Sequence, residues 1–445
     1  MMLKILVTCA ATIPFLASQA GAVDRPKPQV SLSDENPRSV PQTKDHSDNP
    51  PGSFVLLHSV TVDSGEDGND ESRGITIGSD GNIYVTGYIT RAGHGRDIWL
   101  AKYDENLVFI DSVIVDGVAN GDDEGYIIAF DGDGYLYLIG YMTEAGENHN
   151  IWLGKFNLDL VLQDDITLGG SENDADDGYG ILFDEVTGNL YVAGTLREIG
   201  EGANIFLGIF DTDLVLQDSI ILNGVINNTD KARFMTFDDS RHLFVSGSMT
   251  QAVTDYDIWI GKFQEDLTFV DEDIVAGPTT DEDKGYGIVF DGSDTVFVTG
   301  TMIEPGESYN IWMAAYDTNL NPLDSLTING PVDGEDVAYL MTMDDRGRLF
   351  HTGVYSEVEG GSNVWLARFN TELDLEAWTT LDGPAGGYDT GVGLVNGPDN
   401  DLYVSAVVSD PLEGFNIWIG HYDVSMLFAD GFESGDNSGW SSMAP

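Results

Sequence analysis

The apolar positions of the chain fall in short runs rich in Val, Ile, Leu, Tyr and Phe, separated by clusters of Gly, Asp and Asn. In one stretch the runs are Tyr126–Phe130, Leu136–Tyr141, Ile151–Phe156 and Leu160–Leu168, and Asp131-Gly132-Asp133-Gly134 forms a tight turn between the first two. β-Branched and aromatic residues in runs this short, bounded by turn formers, predict strands. No segment sustains a 3.6-residue period, so helix is expected to be scarce. The runs are nearly continuously apolar, which suits sheets covered on both faces.

This four-run unit repeats. Asp97-Ile98-Trp99-Leu100 recurs around Trp152, Phe206, Trp259, Trp312, Trp365 and Trp418, at spacings of 53, 54, 53, 53, 53 and 53 residues. Two further aromatic registers keep step, one from Tyr84 to Tyr403 and one from Tyr103 to Tyr422. Four strands in about 53 residues is the size of a propeller blade. The predicted fold is therefore all-β: a seven-bladed β-propeller with four antiparallel strands per blade. The Trp99 register is expected to pack between blades, as aromatic burial favours, the alternative being an aromatic platform for stacking a ligand. The first run, Phe54–Val62, resembles a fourth strand such as Phe109–Val115, while the last copy stops at Tyr422 after its third. The N-terminal strand should therefore close the last blade and leave no open sheet edge.

The copies around Gly74-Ile75 with Gly81-Asn82-Ile83-Tyr84-Val85-Thr86-Gly87, Leu190–Gly194 and Val296–Gly300 carry a recurring G-N-x-Y-V-T-G-like signature. On these residues the chain resembles the bacterial seven-bladed β-propeller repeat family (SBBP-type repeats) from Ser53 to about Tyr422. The fourth and sixth copies depart, with Arg233-Phe234 and Ala338-Tyr339. The resemblance implies the fold and no single activity.

The flanks read differently. Residues 1–22 have the layout of a secretory signal: Lys4, an apolar run Ile5–Leu16 too short to span a bilayer, and Ala20-Gly21-Ala22 as cleavage site. Cys9, the single cysteine, lies inside it, so the mature chain is expected to hold no disulfide and no Cys-ligated metal. Residues 23–52 are proline-rich and polar, an extended linker. The propeller should occupy 53–428 and a short tail 429–445. A secreted or cell-surface location follows, with the periplasm as the alternative.

Charge narrows the partners. There are 19 Lys and Arg against 76 Asp and Glu, a net −57. That argues against nucleic acid, whose phosphates need a basic surface, and against anionic membrane surfaces. It favours solubility, cations and basic partners. No transmembrane span and a monomeric propeller are expected.

One aspartate recurs in all seven copies: Asp70, Asp123, Asp176, Asp230, Asp283, Asp336 and Asp389. Each lies two residues before the predicted inner strand, near one mouth of the central channel. Glu66, Asp67, Asp122, Glu124, Asp174, Asp177, Asp281, Glu282, Asp333 and Glu335 stand nearby. Such a crown could hold Ca²⁺, which takes six to eight oxygens. The alternative is turn-fixing, each carboxylate accepting backbone N–H bonds. Sevenfold repetition favours the second, since ligand sites are usually asymmetric.

A basic register, Lys102, Lys155, Lys262 and Arg368 with His421, and a second aspartate register, Asp131, Asp184, Asp238, Asp291 and Asp344, are both explained by half-buried ion pairs within or between blades; the alternative is a functional basic spot. His94 and His149 lie in equivalent loops of adjacent copies. The histidines have no zinc-site spacing, and neither a G-x-S-x-G elbow nor a phosphate loop occurs. No catalytic residue is assigned. The repeat breaks most clearly at Asn227–Arg233 and Gly386–Asp389, and neither supplies an acid–base set. The reading is a non-enzymatic binding scaffold for an extracellular or periplasmic protein or glycan. The alternatives are a polysaccharide hydrolase or lyase using carboxylates at the channel mouth, and a structural surface protein.

Overall fold

The computed structural model describes residues 54–424 apart from 66–67, 120, 147, 201, 225–227, 252–255, 359–360 and 412–413. Before them it describes two short strands, Leu6–Thr8 and Gln42–Thr43, alongside the outer strands of blades 1 and 5. The rest of the segments expected to be signal, linker and tail lies outside the described residues, as do Cys9, His46, Glu66 and Asp67.

Seven antiparallel sheets surround a central channel. Blade 1 runs outward through Glu71–Ile77, Ile83–Arg91, Gly95–Tyr103 and Phe109–Asp116. Each of the next five blades repeats this order, and neighbouring inner strands touch all the way round, the seventh returning to the first. The seventh blade is built from both ends of the ring. Val55–Val62 pairs antiparallel with Gly414–Asp423, Val62 opposite Ile417 and Val55 opposite Asp423, as the strand count predicts. Pro398–Asn400 is the one helical turn among the described residues.

Strand bounds exceed the apolar runs because backbone pairing does not require apolar side chains. In blade 2 the inner strand is Glu124–Phe130, with Glu124 opposite Tyr141, so it begins directly after Asp123 and not two residues later. Leu160, read as the start of the outer strand, sits instead in the turn before it at φ 59°. Leu107, Leu214, Leu267, Leu320 and Leu373 repeat that left-handed conformation, and all are buried. The conformation costs a non-glycine residue about 1–2 kcal/mol, and burying a leucine offsets it.

The core lies between blades. The Trp99 register is buried in every blade, with Trp152 and Trp259 at 0% exposure, so these rings are packing residues. In four blades a glycine two residues further on makes room for the ring, Gly208 doing so for Phe206 and the other three for tryptophans. A Cβ on Gly154, Gly261 or Gly420 would come within 2.1–2.3 Å of the indole.

Candidate functional site

The seven repeated aspartates are fully buried clamps. In each, Oδ2 accepts the backbone N–H six residues earlier, after the preceding blade's outer strand, at 2.5–2.7 Å. Oδ1 accepts an N–H 20 or 21 residues later, near the end of the same blade's second strand, at 2.6–3.0 Å. The aspartate's own N–H donates to a carbonyl at the start of the preceding blade's third strand at 2.7–2.9 Å. One residue thus joins three strands of two blades. Burial raises the carboxyl of Asp70 and Asp230, and lifts Asp123, Asp176, Asp283 and Asp336 to about 7, against the opposing amide bonds.

These clamps define the face at which the inner strands begin, here called the entry face. Immediately after each clamp stands one residue of a ring: Glu71, Glu124, Asp177, Lys231, Lys284, Val337 and Thr390. Blades 1–3 contribute acids, blades 4 and 5 bases, and blades 6 and 7 neutral groups. Two residues deeper is a second ring: Arg73, Tyr126, Tyr179, Arg233, Tyr286, Tyr339 and Val392. In every blade this position coincides with a shift of pairing register, between Gly125 and Ile127 in blade 2 and between Ala232 and Phe234 in blade 4. A β-bulge re-aims the side chain it carries. Six of the seven second-ring residues, all but Val392, are Arg or Tyr, and the whole ring lines a channel cavity of about 280 Å³.

The acids at this mouth already have partners. Glu71 lies 2.8 Å from Arg73, and Glu124 lies 2.5 Å from Arg96 and 3.5 Å from Arg73. Asp177 accepts the Tyr179 hydroxyl at 3.0 Å, lies 3.3 Å from His149 Nε2, and has its carboxyl lowered even though burial pulls the other way. Lys284 pairs with Glu282 at 2.6 Å. Blade 4 differs. Lys231 Nζ donates to the Tyr179 hydroxyl at 3.1 Å, and Arg233 Nη1 donates to Ser248 Oγ at 2.9 Å and to the Gly285 carbonyl at 3.1 Å. The Arg233 guanidinium lies 4.6 Å from the Tyr286 ring centre and 6.0 Å from that of Tyr179. Tyr126 packs against Tyr179 at 5.4 Å, and Tyr286 against Tyr339 at 4.9 Å. Arg73 Nε and Thr390 Oγ1 are buried with no hydrogen-bond partner.

The basic register of the third strands is tied down, and its ion pairs among the described residues go to acids outside the second aspartate register. Lys102, Lys155 and Lys262 each donate to a backbone carbonyl of the next blade, from Leu158, Thr212 and Thr318. Lys102 also pairs with Asp80 at 2.8 Å, Arg368 with Glu376 at 3.0 Å, and His421 with Asp401 at 3.2 Å. Asp131 instead accepts N–H groups of its own turn, and Asp184 binds Arg241 of the next blade. His94 and His149 have separate surroundings: His94 Nδ1 meets Asp116 at 2.9 Å, and His149 stacks on Tyr141 at 4.0 Å. One carboxylate oxygen each from Asp97, Asp116 and Asp123 come together at the junction of blades 1 and 2, where Arg91 bridges the first two.

No family model matches the chain, and no curated protein matches it in sequence. Solved structures do. A protein of unknown function from Dyadobacter fermentans superposes with TM-score 0.50 at 10% identity, covering 84% of this chain and all of the other. The polysaccharide lyase Uly1 gives 0.49 at 8% identity, over 83% and 100%. A periplasmic gluconolactonase of Pseudomonas aeruginosa gives 0.45 at 11%, over 74% and 94%. At these identities the likeness concerns the fold alone.

Proposed function

We propose that the protein is an exported, non-enzymatic binding scaffold that presents its entry face, with the channel mouth at the centre, to a protein or glycan outside the cell. The observation that carries this reading is the channel mouth itself. On a chain of net −57, two cations have no carboxylate partner among the described residues: Arg233 lines one cavity with a wall of tyrosines, and Lys231, on the same strand, donates to the hydroxyl of Tyr179 in that wall. A concave site with a few convergent polar groups is the usual form of a ligand pocket.

The carboxylates that an enzyme would use there, Glu71, Glu124 and Asp177, are held by Arg73, Arg96, His149 and Tyr179. That supports binding over hydrolysis, which needs one free carboxylic acid and one free carboxylate across a glycosidic bond. The test is to incubate the full chain with a panel of immobilised glycans and extracellular proteins, and then analyse what was retained. Retention of an unchanged ligand is expected. New reducing ends or unsaturated ends on a glycan would replace this reading with the polysaccharide-active enzyme.

A further inference from the structure

We infer that the channel mouth takes a ring-shaped ligand bearing a single carboxylate, the class of a hexuronate residue in an acidic glycan, with Arg233 and Lys231 as its anion receptors. The inference rests on the binding reading above and narrows it to one chemical class.

The distribution of positive charge is the first ground. Ten of the fourteen Lys and Arg among the described residues lie within 4.0 Å of a carboxylate oxygen. Of the other four, Arg346 is exposed on a turn, and Lys262 is buried in the register where Lys102 and Lys155 hold carbonyls of the next blade. Lys231 and Arg233 remain. They stand two residues apart on one inner strand and donate only to neutral oxygens. With carboxylates in fourfold excess over bases, two adjacent cations left without one mark a place reserved for an anion from outside.

The second ground is the shape of the donors and walls. A guanidinium is a planar fork that matches a carboxylate in bidentate fashion, and it is already positioned by the Tyr286 face. Tyr179, Tyr286 and Tyr339 line the cavity with aromatic rings, the kind of wall against which a ligand ring packs. Arg73 and Thr390 also line the cavity, and their Nε and Oγ1 atoms have no hydrogen-bond partner among the described residues, so this part of the wall holds spare polar capacity. The cavity of about 280 Å³ sits at the small end for ligand pockets, which suits one ring. The field of a chain at −57 repels a dianion more than a monoanion, which favours carboxylate over phosphate monoester.

Burial, joined by the charges of Arg233 on its own strand, Lys284 on the inner strand of blade 5 and Arg197 on the second strand of blade 3, lowers the Lys231 ammonium to about 8 against the opposing pull of Asp177. Tyr179 supplies the hydroxyl it bonds. An arriving carboxylate favours the charged amine, so binding near pH 8 should take up protons.

The experiment is titration calorimetry of the full chain at low ionic strength with three ligands: a hexuronate disaccharide, its neutral counterpart of the same linkage, and benzoate. The uronate is expected to bind at least about tenfold more tightly than the neutral sugar. Arg233→Gln and Lys231→Met should each weaken it about tenfold or more. Unfolding temperature measured alongside identifies any variant that has lost the fold, and Arg233→Gln keeps donors for Ser248 and Gly285. At pH 8 the heat of uronate binding should differ between phosphate and Tris buffers for the wild type, and not for Lys231→Met. Equal affinity for the acidic and neutral sugars, absence of uronate binding, or buffer-independent heats in the wild type would overturn the inference. Benzoate binding without uronate binding would overturn the sugar assignment. Cleavage of a bound glycan would overturn the scaffold reading while leaving the ligand class intact.

Discussion

Replacing Asp336 by alanine isolates the clamp. The carboxylate is fully buried and accepts the Gly330 N–H at 2.6 Å and the Ser356 N–H at 2.7 Å. Truncation leaves both amides without an acceptor, and each such loss costs about 1–3 kcal/mol. At pH 8 the wild-type carboxylate is ionised, above the value near 7 to which burial lifts it. Alanine therefore also removes the cost of a buried charge, which places the net destabilisation at the lower end, about 2–4 kcal/mol. The ring has roughly 370 residues, and at about 2.1 cal/mol/K per residue its unfolding entropy is about 0.8 kcal/mol/K. The unfolding temperature should drop by about 3–5 °C. Asp336→Asn keeps one acceptor oxygen and should lose about half as much. Asp133→Ala, on an exposed turn, is the control and should change little. The assay is scanning calorimetry at pH 8. If Asp336→Ala melts with the control, the clamp contributes nothing and the account of the repeated aspartate fails.

Three further outcomes follow from the same geometry. Asp176, Asp283 and Asp336 titrate near 7 in the folded chain and near the ordinary carboxylate value unfolded, so the folded state binds more protons between these values. Their contribution to stability is complete below about pH 4 and is lost as pH rises through 7. The melting temperature at pH 5 should therefore exceed that at pH 8, and the opposite order would refute the raised values. Deleting residues 1–62 removes the outer strand of blade 7 and exposes the edge at Gly414–Asp423; size-exclusion chromatography should show aggregation, and a stable monomer would deny the closure its role. Calcium titrated at matched ionic strength should raise the melting temperature no more than sodium does, because both oxygens of every clamp are already bonded and buried; a calcium-specific rise would restore the carboxylate crown as a metal site.

The repeat made the blades, the split seventh blade and the packing tryptophans legible, because each rests on sameness from copy to copy. The clamp was legible as a position: Asp70 and its six counterparts never vary, as backbone partners require no variation. The channel rings were not. Arg73, Tyr126, Tyr179, Arg233, Tyr286, Tyr339 and Val392 share one register, three residues after each clamp, but differ in chemistry, and a search for recurrence passes over what differs. The bulge also inserts one residue into a period-2 strand, so alternation cannot say which way that side chain faces. The break at Lys231-Ala232-Arg233 was visible in sequence. That its two cations lack a carboxylate was not, because the partner choices of Glu71, Glu124 and Asp177 depend on neighbouring blades. The left-handed leucines escaped for a related reason: the left-handed region normally signals glycine or asparagine, and here burial overrides that preference.

The closure of blade 7 also sets a timetable. Val55–Val62 is among the first strands to be synthesised, and its partner, Gly414–Asp423, is the last strand of the ring. At about 5–20 residues per second, some 350 residues separate them by roughly 20–70 s. For that interval the first strand has no neighbour to pair with, while every other blade can be completed locally as its own four strands appear. Val55, Leu56 and Leu57 stay exposed even in the finished ring, so this strand is apolar at the moment when it is most available to the wrong partner. The slowest and most error-prone event in making this protein is therefore expected to be the joining of its two ends, and a chaperone that helps it would act on the beginning of the chain until the end arrives.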